Sequence, residues 1–343
     1  MIPVAQEDRA EVLAAVRAAG MQPASDPQPI GGGRNNRAYR VATRERALFV
    51  KRYYRDAGSG HDRLGAETAF ARFAWDCGLR ALAEPIAQDR ERSIGIFSFV
   101  EGRQLTQEEV NAGAVDQALD LVAKLARFRD VPAASLLPPA AEACYSIRDH
   151  LAVLDRRVEA LGTVDDGDAA ERQSACFVRE RLAPAWGHVR HRVLERAAAD
   201  GFDCAAELPQ AERCISPSDF GFHNALLTAG GTLVFHDFEY AGWDDPAKLV
   251  CDFFLQPALT PPSTLRERVV AGIIGGLSLP ELHRARIALL EPVFRLKWCC
   301  IVLNEMLAAG RKRRGYATGE IPSVAAKQAQ LAKAERLLAE LRV

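Results

Sequence analysis

Asp219, Asn224 and Asp237 are the residues of this 343-residue chain whose types and spacing best fit chemistry. Asp219 and Asn224 stand five positions apart on a loop leading into a short apolar run, Ala225, Leu226 and Leu227. The chain then turns at Gly230-Gly231, and a second apolar run from Thr232 to Phe235 leads to Asp237. This pattern predicts a β-hairpin with a polar set at each end. Strand pairing then brings two acids and a carboxamide to one end of a small sheet. Phosphoryl transfer needs such a set: one acid accepts a hydroxyl proton, while the other acid and the amide hold Mg2+ on nucleotide phosphates. Upstream, Gly31, Gly32 and Gly33 precede Arg34-Asn35-Asn36 and a β-like run to Val41. Such glycines permit positive φ and close backbone approach, so amides can face phosphate oxygens. A dinucleotide fingerprint would need Gly at position 36 and a following helix, and no Gly-Lys pair exists to make a P-loop.

These residues need elements to position them. Ala47 to Tyr53 reads as an apolar strand carrying Lys51, and His61 to Cys77 as a helix carrying Glu67 among Leu64, Phe70, Phe73 and Ala74. A short amphipathic helix is predicted over 6–19, and further strands at 85–87 and 93–99. Thr106 and Glu109 form a capping box, predicted to open a helix running to about Phe128. Pro132, Pro138 and Pro139 mark a loop, with helices expected at 146–162 and 168–199, the second interrupted by Pro184. Asp165, Asp166 and Asp168 read as a helix N-terminal charge set. Asp245-Pro246 is a helix start with Asp at the N-cap and Pro at N1. Residues 281–309 are helical in pattern, with a kink or a break expected at Pro292. Arg311-Lys312-Arg313-Arg314 is expected to be a solvated loop, followed by a last helix over 322–342.

The stretch 214–246 resembles the catalytic and metal-binding segment of the aminoglycoside phosphotransferase and choline kinase-like family of small-molecule kinases. That family shares the protein-kinase fold. Its pattern is His-Gly-Asp-x-x-x-x-Asn, a strand ending Asp-x-Glu/Asp, then Gly-x-x-Asp-Pro. Here Asp219 pairs with Asn224, Asp237 with Glu239, and Gly242 with Asp245-Pro246, while Pro217 and Ser218 stand where His and Gly are usual. The resemblance implies that Asp219 is the base and that Asn224 and Asp237 bind the metal. The Asp-Phe-Gly at 219–221 is then a decoy, because it lies five residues before the metal-binding Asn. It also implies that Lys51, paired with Glu67, grips the nucleotide phosphates beneath the loop of Gly31, Gly32, Gly33 and Asn36. Phe99-Val100-Glu101-Gly102 resembles the family hinge, where adenine meets backbone groups around Phe99 and Glu101. Leu226 joins the nucleotide-binding set.

The resemblance runs from Gly31 to about Asp252. It implies a mixed α/β (α+β), bilobal, protein-kinase-like fold. A five-stranded antiparallel lobe with one main helix would occupy 1–102, and a larger, mostly helical catalytic and acceptor-binding lobe 103–343. The expected activity is transfer of the γ-phosphoryl group of ATP, with Mg2+, to a hydroxyl of a small molecule. A second reading, a nucleotide-binding regulatory protein of the same fold with weakened catalysis, rests on Pro217-Ser218. The acceptor pocket is expected from helices between 104 and 200 and between 260 and 310, which carry no legible motif.

Composition excludes several other classes. Lys and Arg number 44 against 45 Asp and Glu, so no global field favours nucleic acid or an anionic membrane. The longest uncharged run, near 269–280, is too short to span a bilayer and is broken by Gly275-Gly276 and Pro280. Eight scattered cysteines without a Cys-x-x-Cys pair, and an N-terminus without a signal pattern, suggest reduced thiols and a cytoplasmic protein. Adjacent Cys299 and Cys300 are expected to pack in a helix, and Trp298 to sit in core. His188-x-x-His191 lacks a carboxylate or cysteine partner and reads as a helix surface rather than a metal site.

Overall fold

A computed structural model describes residues 6–55, 60–164 and 167–341. The chain divides into two compact units. One takes in residues up to Ala141 with Pro217–Gly242 and Arg313–Glu320, and the other Glu142–Ser216, Trp243–Lys312 and the chain from Ile321. No helix among the described residues is long and apolar enough to cross a membrane.

The first unit is organised on a five-stranded antiparallel sheet. Its strands are β1 (Gln28–Ile30), β2 (Arg37–Ala42), β3 (Ala47–Arg52), β4 (Pro85–Asp89) and β5 (Ile94–Ser98), in the order β1-β2-β3-β5-β4. Register decides which residues share a face. Val50 lies opposite Tyr39 and Ile96, whereas Lys51 lies opposite Ala38 and Gly95. Because side chains alternate along a strand, Leu48, Val50, Tyr39, Val41, Ile94 and Ile96 form one apolar face. Helix α1 (Gln6–Ala18) buries Val12, Ala15 and Val16 against it. Lys51 is left on the opposite face between two small neighbours.

Helix α2 (Arg63–Asp76) is capped by Asp62, whose carboxylate accepts the Gly65 N–H at 2.8 Å. Strand β6 (Arg103–Gln104) follows the sheet. The Thr106–Glu109 capping box does form, but it closes only one 3-10 turn. Helix α3 (Ala112–Arg127) starts later, because the Asn111 side chain accepts from the Gly113 and Ala114 amides at 3.0 and 3.2 Å and makes the stronger cap.

In the second unit α4 (Ile147–Gly162) is followed by α5 (Ala169–Phe177) and α6 (Ala183–Ala199). A wide π turn at Val178–Leu182 carries the helix past Pro184, which has no N–H to give the preceding turn. Asp168 is the N-cap of α5, whereas Asp165 and Asp166 lie outside the described residues. His188 and His191 are exposed on α6, and His191 sits 3.1 Å from Glu195.

Strand β7 (Cys214–Ser216) leads to the predicted hairpin, β8 (Ala225–Leu227) with β9 (Leu233–Phe235), to which β6 adds an edge. Then come β10 (Gly242–Asp244), α7 (Pro246–Leu255), α8 (Arg266–Ile274), α9 (Pro280–Val302), α10 (Ala308–Thr318) and α11 (Val324–Ala339). Helix α9 runs unbroken through Pro292, with α4, α6, α7 and α11 packed on it and Cys299 and Cys300 buried within it. Residues 311–314, expected as a loop, are helical in α10. Arg311 gains a partner there, with Glu171 at 2.8 Å.

Candidate active site

Every residue assigned to chemistry falls in the first unit. Lys51 is 5% exposed, and its Nζ lies 2.7 Å from Glu67 Oε2, 2.5 Å from Asp237 Oδ1 and 3.8 Å from Glu239 Oε2. Burial alone would lower the lysine pKa, but the carboxylates of Asp237, Glu67 and Glu239 more than reverse this and hold the ammonium charged. Burial raises Glu67 above the ordinary carboxylate range despite the Lys51 charge, and the Asp237 charge adds to the rise. Asp237 goes the other way: burial raises it, and the charge and hydrogen bond of Lys51 outweigh that.

Glu67 does more than pair with Lys51. Its Oε2 also accepts the Tyr53 hydroxyl at 2.7 Å, and its Oε1 accepts the Phe238 N–H at 3.2 Å. One buried carboxylate therefore ties β3, α2 and the segment after β9 together. Tyr53 was not singled out from sequence, although it lies two residues beyond Lys51 and period-two alternation puts both on one face. Gly95 makes room for it: a Cβ there would lie 2.9 Å from the Phe97 ring and 3.2 Å from the Tyr53 hydroxyl.

The hairpin brings the other set together. The Phe235 N–H donates to the Ala81 carbonyl at 2.8 Å, and the His236 N–H to the Asn224 carbonyl at 2.9 Å. The Asn224 side-chain amide donates to the Asp219 carbonyl at 2.9 Å, which commits its nitrogen end and turns its oxygen end away. Asp219 is about one-third exposed, and its Oδ1 lies 3.2 Å from His223 Nε2. Ser218 and Asp237, which bracket this set, both have φ +67. A non-glycine residue in the left-handed region costs about 1–2 kcal/mol, and such strain gathers at functional sites. It also explains why Gly is usual at position 218.

The glycine loop is exposed at Gly31, Gly32 and Gly33. Gly32 has φ +97, and a Cβ on Gly33 would lie 2.9 Å from the Asn36 carbonyl, so this tight turn needs both. Arg314 reaches the Gly33 carbonyl at 3.4 Å. Asn36, 7% exposed, points away from the loop mouth toward Glu239. At the hinge, the Phe99 N–H donates to the Ala47 carbonyl at 3.1 Å and extends the β3–β5 pairing, while Glu101 is exposed. Leu226 is half-buried and pairs with Gln104 and Val234.

Carboxylate oxygens of Glu67, Asp237 and Glu239 lie within 4.8 Å of one another. These are hard oxygen donors of the kind Mg2+ takes, although both oxygens of Glu67 and both of Glu239 already accept hydrogen bonds from the chain. The acids outnumber the cations around them, so the residues present fit a divalent ion bound with an anionic ligand.

A strand Lys, a helix Glu and a hairpin carrying Asp, Asn and Asp make this a protein-kinase-like fold of mixed α/β class. The chain belongs to the phosphotransferase enzyme family, whose model matches residues 26–287. Among solved structures it is similar to a choline/ethanolamine kinase family protein of Mesorhizobium loti, at 19% identity and TM-score 0.59, covering 97% of this chain and 94% of that one. It is also similar to choline kinase LicA of Streptococcus pneumoniae, at 15% identity and TM-score 0.60, covering 97% and 99%. Spectinomycin phosphotransferase, solved with ADP and spectinomycin, aligns at 11% identity and TM-score 0.60, covering 99% of each chain. No curated protein matches the chain in sequence.

Proposed function

We propose that this chain transfers the γ-phosphoryl group of ATP to a hydroxyl of a small molecule. Asp219 accepts the hydroxyl proton as the new O–P bond forms and the β–γ bridging P–O bond breaks, releasing ADP. Lys51, kept charged and fixed by Glu67, holds the α- and β-phosphates, and the loop of Gly31, Gly32 and Gly33 covers them with its amides. Asn224 and Asp237 hold Mg2+, which supplies charge neutralisation on the phosphates. Phe99 and Glu101 offer backbone groups to the base, and Leu226 an apolar contact beside it. The nucleotide-binding lobe in this reading is 1–102.

The observation that carries the proposal is the Lys51 ammonium bonded at once to Glu67 and Asp237. That contact links the strand Lys to the acid just beyond the hairpin whose first loop holds Asp219 and Asn224. A chain balance of 44 basic to 45 acidic residues supports a sugar or other neutral metabolite over a polycationic aminoglycoside. The test is ADP release from Mg-ATP across a panel of sugars, amino alcohols, choline and aminoglycosides, with Asp219→Asn as control. Release that the variant loses establishes the activity and names the acceptor class. Nucleotide binding without turnover across the panel, together with a protein partner, favours the non-catalytic regulatory reading.

A further inference from the structure

Glu239 is fully buried, and both of its carboxylate oxygens are engaged by the glycine-loop residues. Oε2 accepts the Asn36 amide at 2.5 Å, and Oε1 accepts the Asn35 amide at 3.0 Å. Behind them, Arg63 Nε lies 3.9 Å from Oε1 and Lys51 Nζ 3.8 Å from Oε2. The oxygen end of Asn36 accepts the Tyr54 N–H at 3.1 Å, so this side chain joins the loop, the end of β3 and the segment after β9. Asn35 also reaches the Tyr240 hydroxyl at 3.2 Å. From the α2 side, His61 Nε2 lies 2.6 Å from the Glu239 carbonyl, and its ring stacks on Tyr240 at 5.6 Å.

We propose that Glu239 is a latch for the glycine loop. Its carboxylate, clasped by Asn35 and Asn36, fixes the backbone of 31–36 in the shape that covers the nucleotide phosphates. Glu239, Asn35 and Asn36 are then positioning residues, and Asn36 acts on the nucleotide through the loop rather than by touching it. The physical need is plain. A run of three glycines loses more backbone freedom on ordering than any other sequence, and nothing approaches within 4 Å of where a Cβ on Gly31 or Gly32 would sit. Order must come from the end of the loop, and charge-assisted bonds to a buried carboxylate are the strong kind. The rival role for Glu239 is metal ligand beside Asp237, which would require the oxygens now held by the two amides.

The latch rests on the phosphotransferase reading, and its test separates the two. Wild-type protein, Glu239→Gln, Asn36→Ala, the double variant and the milder Asn35→Ala are titrated by calorimetry with a non-hydrolysable Mg-ATP analogue. Amide exchange over 31–36 is followed in nucleotide-free protein. Losing a charge-assisted bond should weaken analogue binding about 10- to 100-fold in each of the first two variants. The double variant should be no worse than the worse single, Asn35→Ala should lose less, and loop exchange should accelerate in all four while the Mg2+ requirement stays unchanged. Unaltered exchange over 31–36, or a raised Mg2+ requirement in Glu239→Gln with Asn36→Ala binding normally, would overturn the latch. Wild-type protein that binds no Mg-nucleotide would overturn the phosphotransferase reading, and the latch with it.

Discussion

In the first unit Lys51 meets the carboxylates of Glu67, Asp237 and Glu239, with Asp219 on the nearby hairpin loop. In the second, Lys248 lies 2.7 Å from Asp244 and 3.6 Å from Asp252, Lys297 lies 3.8 Å from Asp252, and Arg286 meets Asp245 at 2.5 Å. His150 adds a 3.0 Å contact to Asp245. With Glu142, 3.7 Å from Lys297 and 2.8 Å from Arg157, the second cluster matches four acids with four cations. Its Asp245 keeps an ordinary N-cap backbone, φ −79, and also caps α7 through the Ala247 N–H at 2.8 Å. The first has more acids than cations, left-handed backbone at Asp237, and acids that remain partly exposed at Asp219 and Asp237. A buried ion network that is neutral and unstrained holds helices together. One with surplus negative charge and local strain is suited to binding a cation and an anionic ligand together.

Variants can break that contrast. The largest effect is expected from Asp219→Asn, which should lower turnover about 10^3-fold or more while leaving analogue binding and urea stability near wild type. Substantial residual activity would remove Asp219 from the base role. Asp245→Ala is the counterpart in the second unit. It leaves the Arg286 charge buried and uncompensated, and should cost about 3–5 kcal/mol in urea unfolding. Arg286, with His150, holds Asp245 far below the ordinary carboxylate range against the upward push of burial. A depressed carboxylate contributes stability that is present above its unfolded pKa and is lost as pH falls through its folded one. Wild-type protein should therefore lose stability on acidification below about pH 4, and Asp245→Asn should flatten that part of the profile.

Glu67 carries the opposite sign. Its folded pKa is raised by burial, so its contribution is fully present below the unfolded value and is lost as pH rises through the folded one. Glu67→Gln keeps one acceptor oxygen, for the Lys51 and Tyr53 side or for the Phe238 N–H but not both, and that lost bond is set against the removal of a buried charge. At pH 8 it should be neutral to slightly stabilising while activity falls about 10- to 100-fold, the trade expected at a site built for function. A stability loss of about 2 kcal/mol or more would show that the buried pair is structural. The smallest effect is expected from Ser218→Gly. It relieves the left-handed backbone at 218 and should stabilise by about 0.5–1 kcal/mol, read as a small rise in Tm.

Much of the site was legible because its parts are local. Asp219, Asn224 and Asp237 lie within one hairpin, where turn residues and apolar runs set the geometry, and Lys51 and Glu67 each sit on an element with clear periodicity. What escaped depends on pairings across long stretches of chain. Asn36 and Glu239 are 203 positions apart, and Glu67 reaches the Phe238 N–H across 171. Nothing local in either partner announces those bonds. The helix boundary after Thr106 was misplaced because two capping residues compete within six positions and the later one serves the longer helix. Arg311 to Arg314 were expected in a loop on charge alone. Tertiary partners such as Glu171 make a helical position for a basic side chain worthwhile.

The pairing of β3 with β2 and β5 has a consequence for how this chain can change over time. Val50 and Lys51 are neighbours in sequence but face opposite sides of the sheet, one toward α1 and the other toward Glu67. Substitutions along β3 can be graded, each scaled to the side chain it alters. The loss of one codon between Ala47 and Val50 is not graded: it swaps inside for outside along the strand, driving Lys51 into the apolar face and seating Arg52 where the ammonium belongs. Lineages carrying this strand are expected to drift by replacement within it and to vary in length only in the turn at 43–46.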